Sequence, residues 1–523
     1  MNEVSSWTTA PVLVIGAGIM GVGIAQVAAQ AGHPVFLFDL REGASAKAKQ
    51  QLELTLSGLV TKGRLSEEAA NQAVGRIAAI ASLGEAGSAL LAVEAIVENL
   101  EAKRALLRQL EELLPSHAIL ATNTSSISVT AIANGLRHPE RVVGMHFFNP
   151  VPLMKLVEVV HGLHAQQKVA ETIFELAKRW GKVPVHTKST PGFIVNRIAR
   201  PYYAETLAIL QEQGAQPREL DACLVAAGFR MGPCALMDLI GHDTNFAVTQ
   251  SVYAANFFDK RFVPSIVQKE LVDGGLLGRK AGRGFYVYGP EAGGESPLAA
   301  VDARPPTAGG DMVVHGSGPQ ADWLAVAVAH ATGQTVPRAR SSRHAGLSVD
   351  DFELVMTDGR CAWEVSVGKP EKHVAVFDRF FPSLHAERHQ VPLAYAATTE
   401  ESASRARDWL VALGFRPVPV KDSPGLVVTR TIAMLANEAA DAVAQGVCDE
   451  QGADSAMKLG VNYPAGPFEW IRQWGTDLHS GCAGIAEVLD ALDGHYRGER
   501  YRVSPWLRER ATGLQSASRK DEK

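Results

Sequence analysis

A glycine-rich element near the start restricts the fold of this 523-residue chain more than any other feature. Gly16-Ala17-Gly18-Ile19-Met20-Gly21 follows an apolar run at residues 11–15 and opens a helical pattern over residues 21–31. A second apolar run, residues 35–39, ends in Asp39, 23 residues after Gly16. Strand, tight turn, helix and strand in this order describe a unit that receives a dinucleotide. Gly16 permits the turn, Gly18 lets the backbone approach a pyrophosphate, and Gly21 allows close helix–strand packing. Ile19 and Met20 complete the loop, and the helix start offers free N–H groups and a positive dipole to the phosphates. Asp39 would accept hydrogen bonds from ribose hydroxyls and repel a 2′-phosphate, so NAD is expected rather than NADP, with Arg41 as a neighbouring cation.

The alternation continues to about residue 187. Residues 93–97, 118–121, 142–145, 155–160 and 183–186 read as further strands of a parallel sheet covered by helices. Residues 43–82, rich in Ala, Leu, Lys and Glu, read as an inserted helical pair. From about Pro191 the pattern turns to long helical periodicity, closing at the Gly-rich stretch 278–286, which no helical pattern follows. Residues 289–311, rich in Gly, Pro and Ala, read as a linker, and the polar tail 516–523 as disordered.

At 523 residues the chain exceeds one core, and three or four domains are expected. A net charge of −5 with both signs interspersed gives no footprint for nucleic acid. Five scattered cysteines (Cys223, Cys234, Cys361, Cys448, Cys482) without a C-x-x-C pair point to neither a disulfide framework nor a metal site, and fit a cytoplasmic location. No stretch reaches 18 apolar residues and the first ten residues are polar, so no membrane partner is expected.

His146 follows the run Val142-Val143-Gly144-Met145 and so falls at the carboxyl end of a strand, the edge where open α/β sheets bind ligands. Twelve residues on, Glu158 interrupts Leu156-Val157-Glu158-Val159-Val160. A carboxylate within an apolar strand needs a partner, and His146 supplies one if the strands are neighbours. Such a pair would make a general base for alcohol oxidation.

Asn123-Thr124-Ser125-Ser126, His146-Phe147-Phe148-Asn149-Pro150-Val151-Pro152, the Glu158 strand, Pro191-Gly192-Phe193-Ile194-Val195-Asn196-Arg197 and the 278–286 segment together resemble the signatures of L-3-hydroxyacyl-CoA dehydrogenases. The resemblance covers residues 11–288 and implies NAD-dependent oxidation of (S)-3-hydroxyacyl-CoA to 3-oxoacyl-CoA, in fatty acid β-oxidation or phenylacetate-type aromatic degradation. It implies that Ser125 and Asn196 bond the substrate's 3-oxygen, with His146 as base and Glu158 orienting it. It further places Glu98, Lys103, Asn123 and Asn149 by the cofactor, and Thr55 and Lys62 on the coenzyme A moiety. The implied fold is an α/β Rossmann dinucleotide-binding domain followed by all-α helical domains. An acyl-coenzyme A is the expected substrate partner, and a homodimer stays open.

The helical domain is duplicated. Thr190 to Arg197 recurs as Ser423-Pro424-Gly425-Leu426-Val427-Val428-Thr429-Arg430, offset by 233 residues, and Glu205 matches Glu438 and Asp221 matches Asp454 at the same offset. The expected domains are therefore 11–188, 189–288, a linker 289–311, an intervening α/β segment 312–420 without a glycine fingerprint, and a second helical copy 421–515. This length resembles a longer branch of the family, the bacterial 3-hydroxybutyryl-CoA and 3-hydroxyadipyl-CoA dehydrogenases. Thr429 stands where the first copy has Asn196, so the second copy is expected to be structural, covering an apolar face of the first. Two other readings stay open. One is a β-hydroxyacid dehydrogenase acting on a small free acid, which usually employs a lysine base. The other is a non-enzymatic, crystallin-like NAD-binding protein, against which intact Ser125, His146, Glu158 and Asn196 argue.

Overall fold

The apolar runs before residue 190 form one eight-stranded sheet in the computed structural model of the protein, which describes residue 7 and residues 9–289, 298, 301, 303, 310–385 and 390–513. Its strands are β1 (Val12–Ile15), β2 (Val35–Phe38), β3 (Ile77–Ala79), β4 (Leu91–Glu94), β5 (Ile119–Thr122), β6 (Val142–Phe147), β7 (Leu156–His161) and β8 (Val183–Lys188), in the order β3-β2-β1-β4-β5-β6-β7-β8. Every neighbouring pair is parallel except β6 and β7, which run antiparallel. The sheet is thus mixed, not wholly parallel. The helices between these strands are α1 (Ile19–Gln30), α2 (Ala44–Thr61), α3 (Glu67–Gly75), α4 (Leu100–Leu113), α5 (Val129–Ala133) and α6 (Gln167–Arg179). They bury both faces, so β4, β5 and β6 are buried at every position, including Glu94, Thr122 and His146 among their apolar residues.

Two strand readings need correction. The strand expected at 93–97 lies at Leu91–Glu94, because its pairing with β1 and β5 ends at Glu94 and Val97 is exposed to solvent. Glu98 therefore lies in the turn beyond the strand. The short β3 follows the inserted helical pair α2–α3 and carries only one buried residue, too weak a pattern to read.

After the turn α7 (Val195–Ile198) come the helices of the first copy: α8 (Arg200–Gln211), α9 (Pro217–Ala226), α10 (Pro233–Ile240), α11 (His242–Ala255) and α12 (Ile266–Asp273). The Gly-rich segment that follows folds back onto α10, where the Phe285 and Tyr286 amides donate to the Asp238 carboxylate at 3.0 Å each. Most of the expected linker and all of the expected tail lie outside the described residues.

A second sheet comprises β9 (Met312–His315), β10 (Arg338–Ala339), β11 (Gly346–Val349), β12 (Phe352–Met356), β13 (His373–Phe377), β14 (Val391–Ala397) and β15 (Phe415–Pro419), in the order β10-β9-β11-β12-β13-β14-β15. Its helices are α13 (Pro319–Thr332), α14 (Ala362–Ser366), α15 (Pro382–His385) and α16 (Glu400–Ala412). The second helical copy is α17 (Val428–Ala444), α18 (Glu450–Gly460), α19 (Pro467–Trp474), α20 (Leu478–Tyr496) and α21 (Pro505–Ala511).

Two compact units result. One joins Met1–Arg197 with Gln445–Val461, and the other joins Ile198–Ala444 with Asn462–Lys523. The second copy is therefore divided: α18 packs on β7 and β8 of the first sheet, whereas α17 packs on α8. In the second unit α9, the repeat counterpart of α18, packs on β14 of the second sheet. The α8–α17 contact buries reciprocal ion pairs. Arg430 and Arg500 grip Glu205 at 3.0 and 2.7 Å, and Arg261 reaches Glu438 at 3.3 Å. No helix among the described residues is long and apolar enough to cross a membrane.

Candidate active site

The loop between β1 and α1 has the backbone that its glycines allow. Gly16 lies at φ +101°, and a Cβ there would meet the Ala95 carbonyl oxygen at 2.5 Å. A Cβ on Gly21 would fall 1.7 Å from the Gly16 oxygen, so only glycine lets α1 approach the strand so closely. At Gly18 a Cβ would meet nothing within 4 Å, so the loop presents open backbone there, at the N-cap of a helix that no side chain caps. Ile19 is exposed and Met20 half-buried. An anion finds unshared N–H groups at this helix start. These features fit the pyrophosphate of a dinucleotide.

Asp39, just past β2, accepts from the Ala17 amide at 2.8 Å, which ties the β2 end to the loop. The Arg41 guanidinium and amide donate to the same carboxylate and hold its pKa down at about 2, so it is charged at neutral pH.

His146 and Glu158 face one another as a registered pair of antiparallel β6 and β7. His146 Nδ1 lies 2.6 Å from Glu158 Oε2, and both side chains are buried. Because a carboxylate accepts, Nδ1 is the donor of this contact and Nε2 is the ring nitrogen left for a substrate. The other carboxylate oxygen, Oε1, accepts from the Ile194 and Val195 amides at 3.0 Å each. Those amides belong to the Pro191–Arg197 turn, where Gly192 (φ +78°) and Phe193 (φ +46°) reverse the chain. The Phe148 ring packs against the imidazole with centroids 4.5 Å apart.

The turn that presents N–H groups to Glu158 also carries Asn196, whose amide lies 3.5 Å from the Ser125 carbonyl oxygen. Ser125 and Asn196 are thereby brought together, both half-buried. Ser125 sits in a loop organised by Glu98, whose Oε1 accepts from the Thr124 hydroxyl at 2.6 Å and the Ser125 amide at 3.0 Å. Burial opposes the Glu98 charge, but the Thr124 hydroxyl, the Lys103 ammonium and the Ser125 amide outweigh it and hold its pKa below the usual range. Lys103 is itself buried, 2.9 Å from both Glu94 oxygens and 3.3 Å from Glu98, so it reaches the loop through Glu98. Asn123 accepts from the Phe147 amide at 2.8 Å and pins the end of β6 beside His146. Asn149 is exposed. Thr55 and Lys62 lie on the exposed side of α2 and at its C-terminus, apart from these groups, and the Thr55 hydroxyl donates to the Gln51 carbonyl.

Sequence reasoning missed Glu94. It interrupts the apolar run 91–97 nine residues before Lys103, and a charge inside such a run needs a partner. Sequence reasoning also missed the segment 445–461, which carries no motif yet packs beside the pair.

The second sheet holds a degenerate version of the same geometry. The repeat offset carries Val185 onto Val418, whose strand partners are Glu158 and Ala394 respectively. Ala394 thus stands at the carboxylate position, and Asp378, whose amide donates to the Ala394 carbonyl, stands at the histidine position. The Asp378 carboxylate takes the Val427, Val428 and Thr429 amides, and burial pushes its pKa up. A sealed carboxyl with no histidine is no base for a substrate hydroxyl.

Residues 11–190 match the family described as 3-hydroxyacyl-CoA dehydrogenase, NAD binding domain, and residues 192–288 and 425–521 each match its C-terminal domain. Residues 354–424 match the 3-hydroxybutyryl-CoA dehydrogenase reduced Rossmann-fold domain. The 3-hydroxyadipyl-CoA dehydrogenase of Escherichia coli K12 is 42% identical over 503 residues, covering 96% of this chain and 97% of that protein. The mitochondrial hydroxyacyl-coenzyme A dehydrogenase of Sus scrofa is 41% identical over 285 residues, 53% of this chain and 90% of its own. Among solved structures, a 3-hydroxybutyryl-CoA dehydrogenase from Escherichia coli K12 superimposes with a TM-score of 0.84 at 40% identity, covering 96% of this chain and 98% of that one.

Proposed function

The chain belongs to the 3-hydroxyacyl-CoA dehydrogenase family, and on that premise we propose that His146 is the base with which it oxidises the 3-hydroxyl of an acyl-CoA thioester. It is an NAD-dependent oxidoreductase of 3-hydroxyacyl-CoA. The observation that carries the site assignment is the buried His146–Glu158 contact of 2.6 Å. NAD, held by the Gly16–Gly21 loop and Asp39, would supply the acceptor for the hydride that leaves C3. His146 Nε2 takes the hydroxyl proton, and the Glu158 charge stabilises the imidazolium that results. Two backbone amides on the far oxygen of Glu158 hold that carboxylate in place and aimed at the imidazole. The Ser125 hydroxyl and the Asn196 amide hold the 3-oxygen where the carbonyl forms. Glu98, braced by Lys103, keeps the Ser125 loop in place, and Asp39 selects the unphosphorylated ribose. Thr55 and Lys62 offer polar contacts to coenzyme A from the exposed helix α2. The cytoplasm is the location we propose, in keeping with cysteines that follow no pairing pattern.

Initial rates over a chain-length series of (S)-3-hydroxyacyl-CoA substrates, one of them dicarboxylic, test the substrate class. His146→Ala tests the base: kcat should fall by about 10² to 10⁴ with the KM for NAD nearly unchanged. Near-normal turnover in that variant would refute the assignment.

A further inference from the structure

The second helical copy carries no base of its own, yet its segment Gln445–Val461 belongs to the compact unit that holds the catalytic pair. Its contacts converge on the residues that hold Glu158 and His146. The Gln445 side chain accepts from the Arg197 guanidinium at 2.9 Å, and Arg197 follows the turn whose amides bind Glu158. The Val447 carbonyl accepts from the Lys188 amide at 3.0 Å, extending the hydrogen bonding past the end of β8. Burial, Asp449 and the Glu158 carboxylate push the Cys448 thiol up to about 12.

Gly460, at the end of α18, is the tightest of these contacts. A Cβ there would lie 2.7 Å from Leu156 Cδ2, 3.0 Å from Val195 Cγ2 and 3.7 Å from Phe148 Cε1. Leu156 is two residues from Glu158 on the same strand, Val195 donates its amide to Glu158, and Phe148 packs on the His146 ring. At the repeat offset the first copy has Ala227. The copy that backs the catalytic strand thus has the smallest possible residue where the other copy carries a methyl.

We infer that α18 of the second helical copy is a positioning element for the catalytic pair, with Gly460 as the residue that sets how closely it seats behind Leu156, Val195 and Phe148. This rests on the reading of His146 and Glu158 as the base and its orienting partner. A methyl at Gly460 must displace the Leu156 and Val195 side chains by tenths of an ångström, and Val195 is one of the two residues whose amides hold Glu158. Hydride and proton transfer depend steeply on such placement, whereas dinucleotide binding at the β1–α1 loop does not depend on it.

The experiment is steady-state kinetics of the full chain on (S)-3-hydroxybutyryl-CoA for Gly460→Ala, Gly460→Val, Leu156→Val, the double variant Gly460→Ala/Leu156→Val and His146→Ala. Gly460→Ala should lower kcat about three- to tenfold and Gly460→Val about 10²-fold, with the KM for NAD unchanged. The isotope effect on kcat with substrate deuterated at C3 should rise, because chemistry then limits turnover. Leu156→Val, which removes the clashing methyl, should recover most of the Gly460→Ala loss. Wild-type kcat in both Gly460 variants would overturn the inference. So would a loss shared with NAD affinity and thermal midpoint and not relieved by Leu156→Val, since that is the signature of general loosening. If His146→Ala is itself active, the site reading fails. If His146→Ala is inactive while the Gly460 series matches wild type, only the positioning role fails.

Discussion

Replacing Glu158 by glutamine keeps the shape of the side chain and removes one acceptor, and the structure dictates the consequence. The native carboxylate accepts on both sides, from His146 Nδ1 through Oε2 and from the Ile194 and Val195 amides through Oε1. Glutamine has one oxygen and one NH2 group. If the NH2 faced the turn, two buried backbone N–H groups would lose their acceptor, at about 1–3 kcal/mol each. The oxygen therefore stays with the turn and the NH2 faces His146. Nδ1 must then accept, which moves the ring proton to Nε2, the nitrogen that has to take the substrate proton. The base is present but in the wrong tautomer. In a serine-protease triad the corresponding carboxylate-to-amide change lowers kcat about 10⁴-fold. Here the ring proton can still return to Nδ1, giving the active tautomer at the expense of one opposed N–H contact, and a fall in kcat of about 10² to 10³ is expected, milder than for His146→Ala. That corresponds to about 3–4 kcal/mol. NADH formation followed by absorbance, with circular dichroism to establish folding, measures it. A folded Glu158→Gln enzyme within about threefold of wild-type kcat would refute the tautomer argument.

Asp39→Ser should narrow the preference for NAD over NADP in steady-state comparison. Because Arg41 holds the Asp39 pKa at about 2, Asp39 keeps its charge between neutral pH and about pH 5, and any change in the wild-type preference over that range should follow the 2′-phosphate, whose second pKa is about 6. Asn196→Thr should cripple oxidation, whereas Thr429→Ala should leave kinetics almost unchanged and lower the thermal midpoint, since the Thr429 hydroxyl donates to the buried Asp378 at 2.7 Å. Deleting residues 421–523 should give an aggregating, inactive protein on size-exclusion chromatography. A soluble, stable, monomeric truncation would contradict the covering role of the second copy.

The site was legible where chemistry demands particular residue types at particular spacings. The glycine loop, Asp39 and the pairing of His146 with Glu158 follow from residues whose burial or backbone geometry has one economical explanation. The strand end at Glu94 was not legible, because the run 91–97 is apolar on either side of Glu94 and only the buried Lys103 shows which half is paired. The role of residues 445–461 could not be read either. Helix α18 has an ordinary amphipathic pattern, and nothing local specifies which sheet it covers. That choice is made by packing between segments roughly 300 residues apart, here Gly460 against Leu156, a contact with no one-dimensional signal.

The reciprocity of the two copies explains what the duplication retains. An isologous contact pairs each surface with its own copy, so a residue on one side meets its partner's counterpart on the other. The α8–α17 contact keeps this form in part: Glu205 and Glu438 occupy equivalent repeat positions, and each is held by arginine from the opposite copy. The strand-covering helices keep it as well, α18 lying on β7 and β8 and α9 on β14. The paired side chains differ between the two sheets, with Asp378 and Ala394 in the positions of His146 and Glu158. The amides of residues 427–429 nevertheless still converge on a carboxylate, now Asp378. Burying a charge-bearing strand end beneath those amides requires an acceptor whether or not a substrate is ever oxidised there. The turn thus meets the same folding constraint in both copies, and only in the first does it stand beside a histidine–carboxylate pair. This is why the Pro-Gly turn persists while the histidine, which burial alone does not require, is absent from the second sheet's equivalent position.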